Sequence, residues 1–174
     1  MERDVTIRAA RPADVDGIFQ VMRQSRRNAF AGLLPPDALD WDPEVSDGFR
    51  QFVHETLSAD AKALLIALDE DHVLGLVELV WAPEETQDFV EEGEAELSAI
   101  HVRPDSWNQG IGTRLLDETL LRLPSQLSGV ALCVLSENER ARAFYDRRGF
   151  DRTGTTVNTY AGEERLEVVY HRTL

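Results

Sequence analysis

The chain has 174 residues, 43% hydrophobic and 29% charged, enough to bury a core without disulfide or metal staples. Cys133 is the only cysteine, which excludes an intrachain disulfide framework and a cysteine-ligated zinc site. Thirty-two acidic against 18 basic residues give a formal net charge of −14, which disfavours sequence-independent binding to nucleic-acid phosphates.

No run of about 18 apolar residues is available to span a membrane, and residues 1–10 are too charged for a signal peptide, so a cytoplasmic location is expected. Lys62 is the only lysine, leaving 17 arginines. The acidity has two readings: a hydrated carboxylate surface suited to a salt-rich cytoplasm, or an acidic groove for a cationic substrate.

No repeat or break in composition divides the chain, so one domain over 1–174 is expected. Residues 5–9 alternate as a short strand. Pro12 and Asp14 then read as the first turn of a helix that continues through Ile18, Phe19, Val21 and Met22, before Leu33-Leu34-Pro35-Pro36 interrupts it. A second helix is expected within 43–57, with Val45, Phe49, Phe52, Val53 and Leu57 along one side. Runs 63–68 and 73–81 are β-rich and joined by Asp69-Glu70-Asp71-His72 as a hairpin.

Glu84, Glu85, Asp88, Glu91 and Glu92 crowd like charge into 82–93, which reads as an exposed connection. A strand over 95–102 ends at Arg103-Pro104, and Gly110 opens a helix that repeats Leu115, Leu116, Leu120 and Leu121 until Pro124. The apolar run 130–135 suits a strand covered on both faces. A short helix over 139–148 ends at Gly149, Phe150 begins the next strand, and strands near 155–160 and 165–172 flank Ala161-Gly162-Glu163. That order predicts an α/β (α+β) fold: a mixed, mostly antiparallel twisted sheet of about seven strands with helices on both faces.

The sharpest local signal is Trp107-Asn108-Gln109-Gly110-Ile111-Gly112-Thr113, between a strand and a helix. Glycines remove side chains where a ligand must approach the backbone, and the first-turn N–H groups carry partial positive charge, so the segment can cradle a diphosphate. A Rossmann fingerprint needs a third glycine where Leu115 stands, and a Walker loop needs a lysine that this segment lacks. Downstream stands Asn138-Glu139-Arg140-Ala141-Arg142-Ala143-Phe144-Tyr145-Asp146-Arg147-Arg148-Gly149-Phe150.

With these two motifs in this order and a strand between them, the sequence resembles the GNAT superfamily of acetyl-CoA-dependent N-acetyltransferases. Segment 102–116 is similar to its pyrophosphate motif, Q/R-x-x-G-x-G/A, and 138–150 to its N-x-x-A-x-x-F-Y-x-x-x-G-F motif. The chain departs from the pattern at Trp107, where the family usually shows Gln or Arg, and at Asn108, which replaces a frequent glycine.

The resemblance implies a splayed central strand pair holding the pantetheine arm of acetyl-CoA. Ile100 and Val102 would offer backbone groups to it, the Ile100 N–H would polarise the thioester carbonyl, and Asn108, Gln109, Gly110, Ile111, Gly112 and Thr113 would hold the diphosphate. It also implies direct attack by an amine, with Glu96 as general base, through water, or Glu94 on the same strand face as the fallback. Tyr145 would be the acid that protonates the leaving thiolate, and Asn138 would hold pantetheine or the tyrosine-bearing helix, or act as a helix N-cap.

None of His54, His72, His101 and His171 has a carboxylate or thiol partner at ligand spacing, so no metal is expected. Ser98, Ser136 and Cys133 lack a nucleophile elbow, which argues against an acyl-enzyme, and Cys133 reads as core. The acceptor would be a small-molecule or peptide amine, recognised by 30–41, 82–93 and the turn at 160–163; the acids in these segments suit a polyamine or basic peptide. The alternative is a catalytically silent CoA-binding sensor of the same fold. No nucleic-acid or membrane partner is expected, and a homodimer is left open.

Overall fold

The computed structural model describes residues 4–174, and in it the strand-forming runs join into one sheet. In chain order the strands are β1 (Val5–Ala9), β2 (Lys62–Asp69), β3 (His72–Val80), β4 (Glu94–Val102), β5 (Gly129–Leu135), β6 (Asp151–Tyr160) and β7 (Glu163–Thr173). They lie side by side as β1-β2-β3-β4-β5-β7-β6, every neighbouring pair antiparallel except β4 and β5. This is the mixed, mostly antiparallel sheet expected from the element order.

Side chains two apart on a strand share a face, so each run supplies both layers. Leu64, Ile66 and Leu68 of β2 pack with Val15, Ile18 and Val21 of α1 (Val15–Ala29) and Val53 of α2 (Asp47–Ser58). Leu65 and Ala67, with Val77, Leu79, Val130 and Leu132, pack with Ile111, Leu115 and Leu116 of α3 (Ile111–Arg122) and Tyr145 of α4 (Glu139–Asp146). Leu115 and Leu116 lose all exposure, which stabilises the fold by about 1.5–3 kcal/mol for each side chain.

Boundaries shift where side-chain caps take over from periodicity. The second helix starts at Asp47 rather than near 43, because Ser46 Oγ accepts the Phe49 N–H at 3.1 Å. The fourth helix closes at Asp146, two residues before the expected end. The sixth strand starts at Asp151, one residue after the expected Phe150, and its alternation before Thr155 is masked by a bulge at Arg152/Gly154.

The strand pair that matters for function is β4 and β5. Their parallel pairing lasts three residues, Glu94↔Gly129, Ala95↔Val130 and Glu96↔Ala131, and then stops. Directly beyond it Ser98 is extra in the ladder to β3, where Leu79 faces Leu97 and Glu78 faces Ala99. Such a bulge bends its strand, and here it carries β4 away from β5 and opens a cleft between them.

Candidate active site

The cleft has a volume of about 650 Å³. Leu97 to Val102 of β4 form one wall and Leu132 to Leu135 of β5 the other. Since β4 has no strand partner on this side beyond Glu96 among the described residues, its backbone edge is open to an extended ligand. Phe30, Gln87 and Tyr160, one from each segment expected to recognise the acceptor, also line the cleft.

At the far end of β4 the chain turns through two left-handed residues, Asn108 (φ 61°) and Gly110 (φ 77°), the second being the N-cap of α3. A glycine at 110 takes this conformation without the steric penalty of a β-carbon, and no atom would meet one there within 4 Å. At Gly112 a β-carbon would meet Phe144 at 3.7 Å and Val102 at 3.8 Å. The Thr113 hydroxyl accepts a hydrogen bond from Arg148. Asn108, Gly110, Ile111, Gly112 and Thr113 line the cleft; Gln109 is exposed and ties its side chain to the Asp105 carbonyl at 3.2 Å.

Trp107 is a structural member of this turn. Its indole Nε1 donates to the Val102 carbonyl at 2.7 Å, so that carbonyl is already engaged within the turn. The Arg140 guanidinium lies 3.7 Å from the centre of the Trp107 ring. Arg140, Arg147 and Arg148 bring three positive charges to the cleft from α4 and the residues just after it.

The carboxylates divide by position. Glu96 is buried, and Gln87 clasps it: the backbone N–H donates to Oε2 at 2.9 Å and the side-chain amide to Oε1 at 2.8 Å. Gln87, not Glu96, is among the residues that line the cleft, so the connection 82–93 is more than an exposed linker. Glu94 turns elsewhere: its Oε1 lies 3.0 Å from His171 Nδ1 and its Oε2 accepts the Glu91 N–H at 2.9 Å. His171 therefore does have a carboxylate partner, 77 positions away, where sequence spacing showed none.

A third carboxylate, Glu167 of β7, is buried in the cleft wall and accepts hydrogen bonds from Asn158 and the Tyr160 hydroxyl. Cys133 also lines the cleft instead of filling the core, and burial, followed by a hydrogen bond to Glu167, pushes its thiol well above the ordinary range. A thiol so held is a poor nucleophile.

Tyr145 lines the cleft from α4, buried among Phe144, Phe150 and Tyr170. Burial raises its phenol pKa. Asn138 also lines the cleft, and its Oδ1 caps α4 by accepting the Ala141 N–H at 3.1 Å. Thus the structure brings Tyr145, Asn138, the glycine turn and Ile100 to one cleft, sets Glu96 behind Gln87, and sends Glu94 away from it.

The sequence profile of the acetyltransferase (GNAT) family matches residues 25–150, the span from the end of α1 to the end of α4 that builds most of this cleft. The chain belongs to the GNAT acetyltransferase family. This GNAT protein is 26% identical over 153 residues to the probable N-acetyltransferase Rv2775 of Mycobacterium tuberculosis, covering 88% of this chain and 83% of that one. Its fold superposes on the ribosomal-protein-alanine N-acetyltransferase of Brucella melitensis with a TM-score of 0.75 at 20% identity, over 97% of this chain and 99% of that one. It also superposes on the PaiA N-acetyltransferase of Thermoplasma acidophilum, solved in complex with coenzyme A, with a TM-score of 0.67 at 17% identity, over 98% and 99%.

Several cleft residues of this GNAT protein escape a reading of motifs alone. Arg26 sits at the end of a helix read for its apolar face, Gln87 in a segment read for its charge, and Glu167 in the last strand. Only Glu167 carried a signal: an acid followed by Val168-Val169-Tyr170 in a strand is a buried-charge candidate.

Proposed function

We propose that the protein is an N-acetyltransferase that moves the acetyl group of acetyl-CoA to a primary amine by direct attack within a ternary complex. The observation that carries this reading is the convergence of an unpaired strand edge, a left-handed glycine turn and a buried phenol on one cleft. These residues suit the cosubstrate. An open edge pairs with an extended amide-bearing arm, the start of α3 receives a diphosphate, and Arg140, Arg147 and Arg148 add positive charge to a chain of net charge −14.

Acetyl-CoA supplies an activated acyl thioester; the chain supplies position and proton management. The Ile100 backbone is assigned to the arm and the thioester carbonyl, with Val102 reduced to its N–H because Trp107 takes its carbonyl. Backbone groups from Asn108 to Thr113 are assigned to the diphosphate. An alkyl amine has a pKa of about 10.4 and must shed a proton before it attacks. Glu96 is assigned that proton, received through water, with the Gln87 clasp fixing its carboxylate.

A second assignment, Glu167, is favoured by a specific observation: this carboxylate itself lines the cleft. Tyr145, its pKa raised by burial, keeps its proton at neutral pH. Its phenol is a weaker acid than an ordinary thiol of pKa about 8.5, so it serves the departing sulfur chiefly as a hydrogen-bond donor. Asn138 is assigned to hold α4, and with it Tyr145, against the cleft.

The pH dependence of kcat tests the base. With Glu96 in that role, Glu96→Gln lowers kcat about 100-fold or more at neutral pH, and the deficit shrinks as rising pH deprotonates the amine unaided. A pH-dependent deficit confined to Glu167→Gln moves the role to Glu167. Deficits that ignore pH in both variants overturn both assignments. Coenzyme binding with no thiol release over a broad amine panel would instead support the silent CoA-binding module.

A further inference from the structure

Three of the four arginines of the cleft lie on α4 or just after it; the fourth, Arg26, comes from the last turn of α1, which packs on the opposite face of the sheet. Its Nε is buried without a hydrogen-bond partner, and no ion pair among the described residues includes it. What surrounds it is aromatic or neutral. The guanidinium lies 5.5 Å from the Phe30 ring centre and 5.1 Å from that of Trp41. His101, bonded through Nδ1 to Ser25 Oγ at 3.0 Å, is held neutral by burial with its pKa pulled down to about 4, and the Tyr160 hydroxyl is committed to Glu167.

A partly desolvated guanidinium is costly without an anion, and a chain with 32 acidic residues could have placed one there. Aromatic faces steer and stiffen the side chain but accept none of its N–H groups in the plane of the fork. The planar fork matches a carboxylate, which it can hold through two parallel hydrogen bonds. Glu167 and Tyr145 line the same cleft, so a ligand held by Arg26 would share it with groups assigned to proton management.

Resting on the acetyl-transfer reading, we propose that the acceptor is an α-amino acid whose carboxylate is received by Arg26 while its amine faces the thioester. The amine nitrogen forms the new C–N bond as the acyl C–S bond breaks; the thiolate leaves to take up a proton, and the amine proton passes to the base. The carboxylate stays bound and unreacted. A polyamine, which the acidic segments suggested, would present a second ammonium to Arg26 and is disfavoured.

The test compares the common L-amino acids with their α-amides and their decarboxylated amines at saturating acetyl-CoA. At least one free acid should exceed its amide and its amine by about 10- to 100-fold in kcat/KM, mainly through KM. Arg26→Gln should bring that ratio to within about threefold, and Arg26→Lys should restore part of it, with unfolding midpoints verifying that both variants fold. Equal kcat/KM across the matched compounds, or a ratio that survives Arg26→Gln, overturns the inference and leaves acetyl transfer standing. If no acceptor releases thiol, acetyl transfer fails; binding to the CoA-saturated protein then decides the role of Arg26, and equal affinity for acid and decarboxylated amine, or no binding of either, overturns it.

Discussion

Tyr145 packs edge-on to Phe144 and Phe150, with ring centres 5.1 and 5.5 Å away, while lining the cleft. The ring and the hydroxyl therefore answer to different demands, and removing the oxygen alone separates them. In Tyr145→Phe the aromatic packing is kept, so the fold and the coenzyme Kd should change less than about threefold. Turnover should fall roughly 100-fold or more, as for a lost proton-transfer or anion-stabilising group. Single-turnover acetyl transfer beside coenzyme titration measures both; an equal loss in the two would make Tyr145 a packing residue only. At this scale the motif residues were legible because they are local: Gly110 to Thr113 and Asn138 to Tyr145 each fall within one turn or helix. Gln87 on Glu96 and Tyr160 on Glu167 were not, because they join a connection to a strand and the last two strands through side-chain contacts that no local spacing encodes.

At the scale of elements, hydrophobic patterning located every strand and α-helix among the described residues but neither short 3-10 turn at Pro36–Ala38 and Pro104–Ser106, and other errors collected at ends where caps and bulges decide. The bulge at Ser98 is the instructive case. Nothing in Leu97-Ser98-Ala99 differs from ordinary strand composition, so the splay of β4 from β5 was reached only through the family resemblance. The link from β1 to α1 is fixed by charge. Arg8 grips Asp14 through two hydrogen bonds of 2.7 and 2.9 Å, and the Arg11 N–H adds a third at 2.7 Å. The bond from Arg8, followed by that from Arg11, holds the Asp14 pKa below its ordinary 3.8. A depressed carboxyl pKa stabilises the fold at pH values above the unfolded pKa, and that contribution disappears as pH falls through the folded one. Asp14→Asn should thus cost about 1–2 kcal/mol at pH 7. Urea titrations of both proteins should begin to converge as the pH drops below the unfolded carboxyl pKa and meet below the folded one, and a gap that is constant with pH would show that shape rather than charge makes this link.

Across the whole molecule the net charge of −14 coexists with a cleft lined, among the described residues, by four arginines, Arg26, Arg140, Arg147 and Arg148, and by a single acidic residue, Glu167. Composition alone could reveal the first property and not the second: Arg140, Arg147 and Arg148 are close in sequence, but only folding brings Arg26 to join them at the cleft. The two properties respond to salt in opposite directions. Screening of carboxylate repulsion favours the compact state, so the urea midpoint should rise by a few tenths of a molar or more between dilute and molar KCl. Screening also weakens the field that draws an anionic cosubstrate into the cleft, so the KM for acetyl-CoA should rise severalfold over the same range. Measured together, the opposed trends separate a surface suited to salt from an acidic groove built for a cation. A basic acceptor drawn by such a groove would lose affinity with salt while the coenzyme did not, and a urea midpoint that stays flat in KCl would remove repulsion as the reason for the acidity.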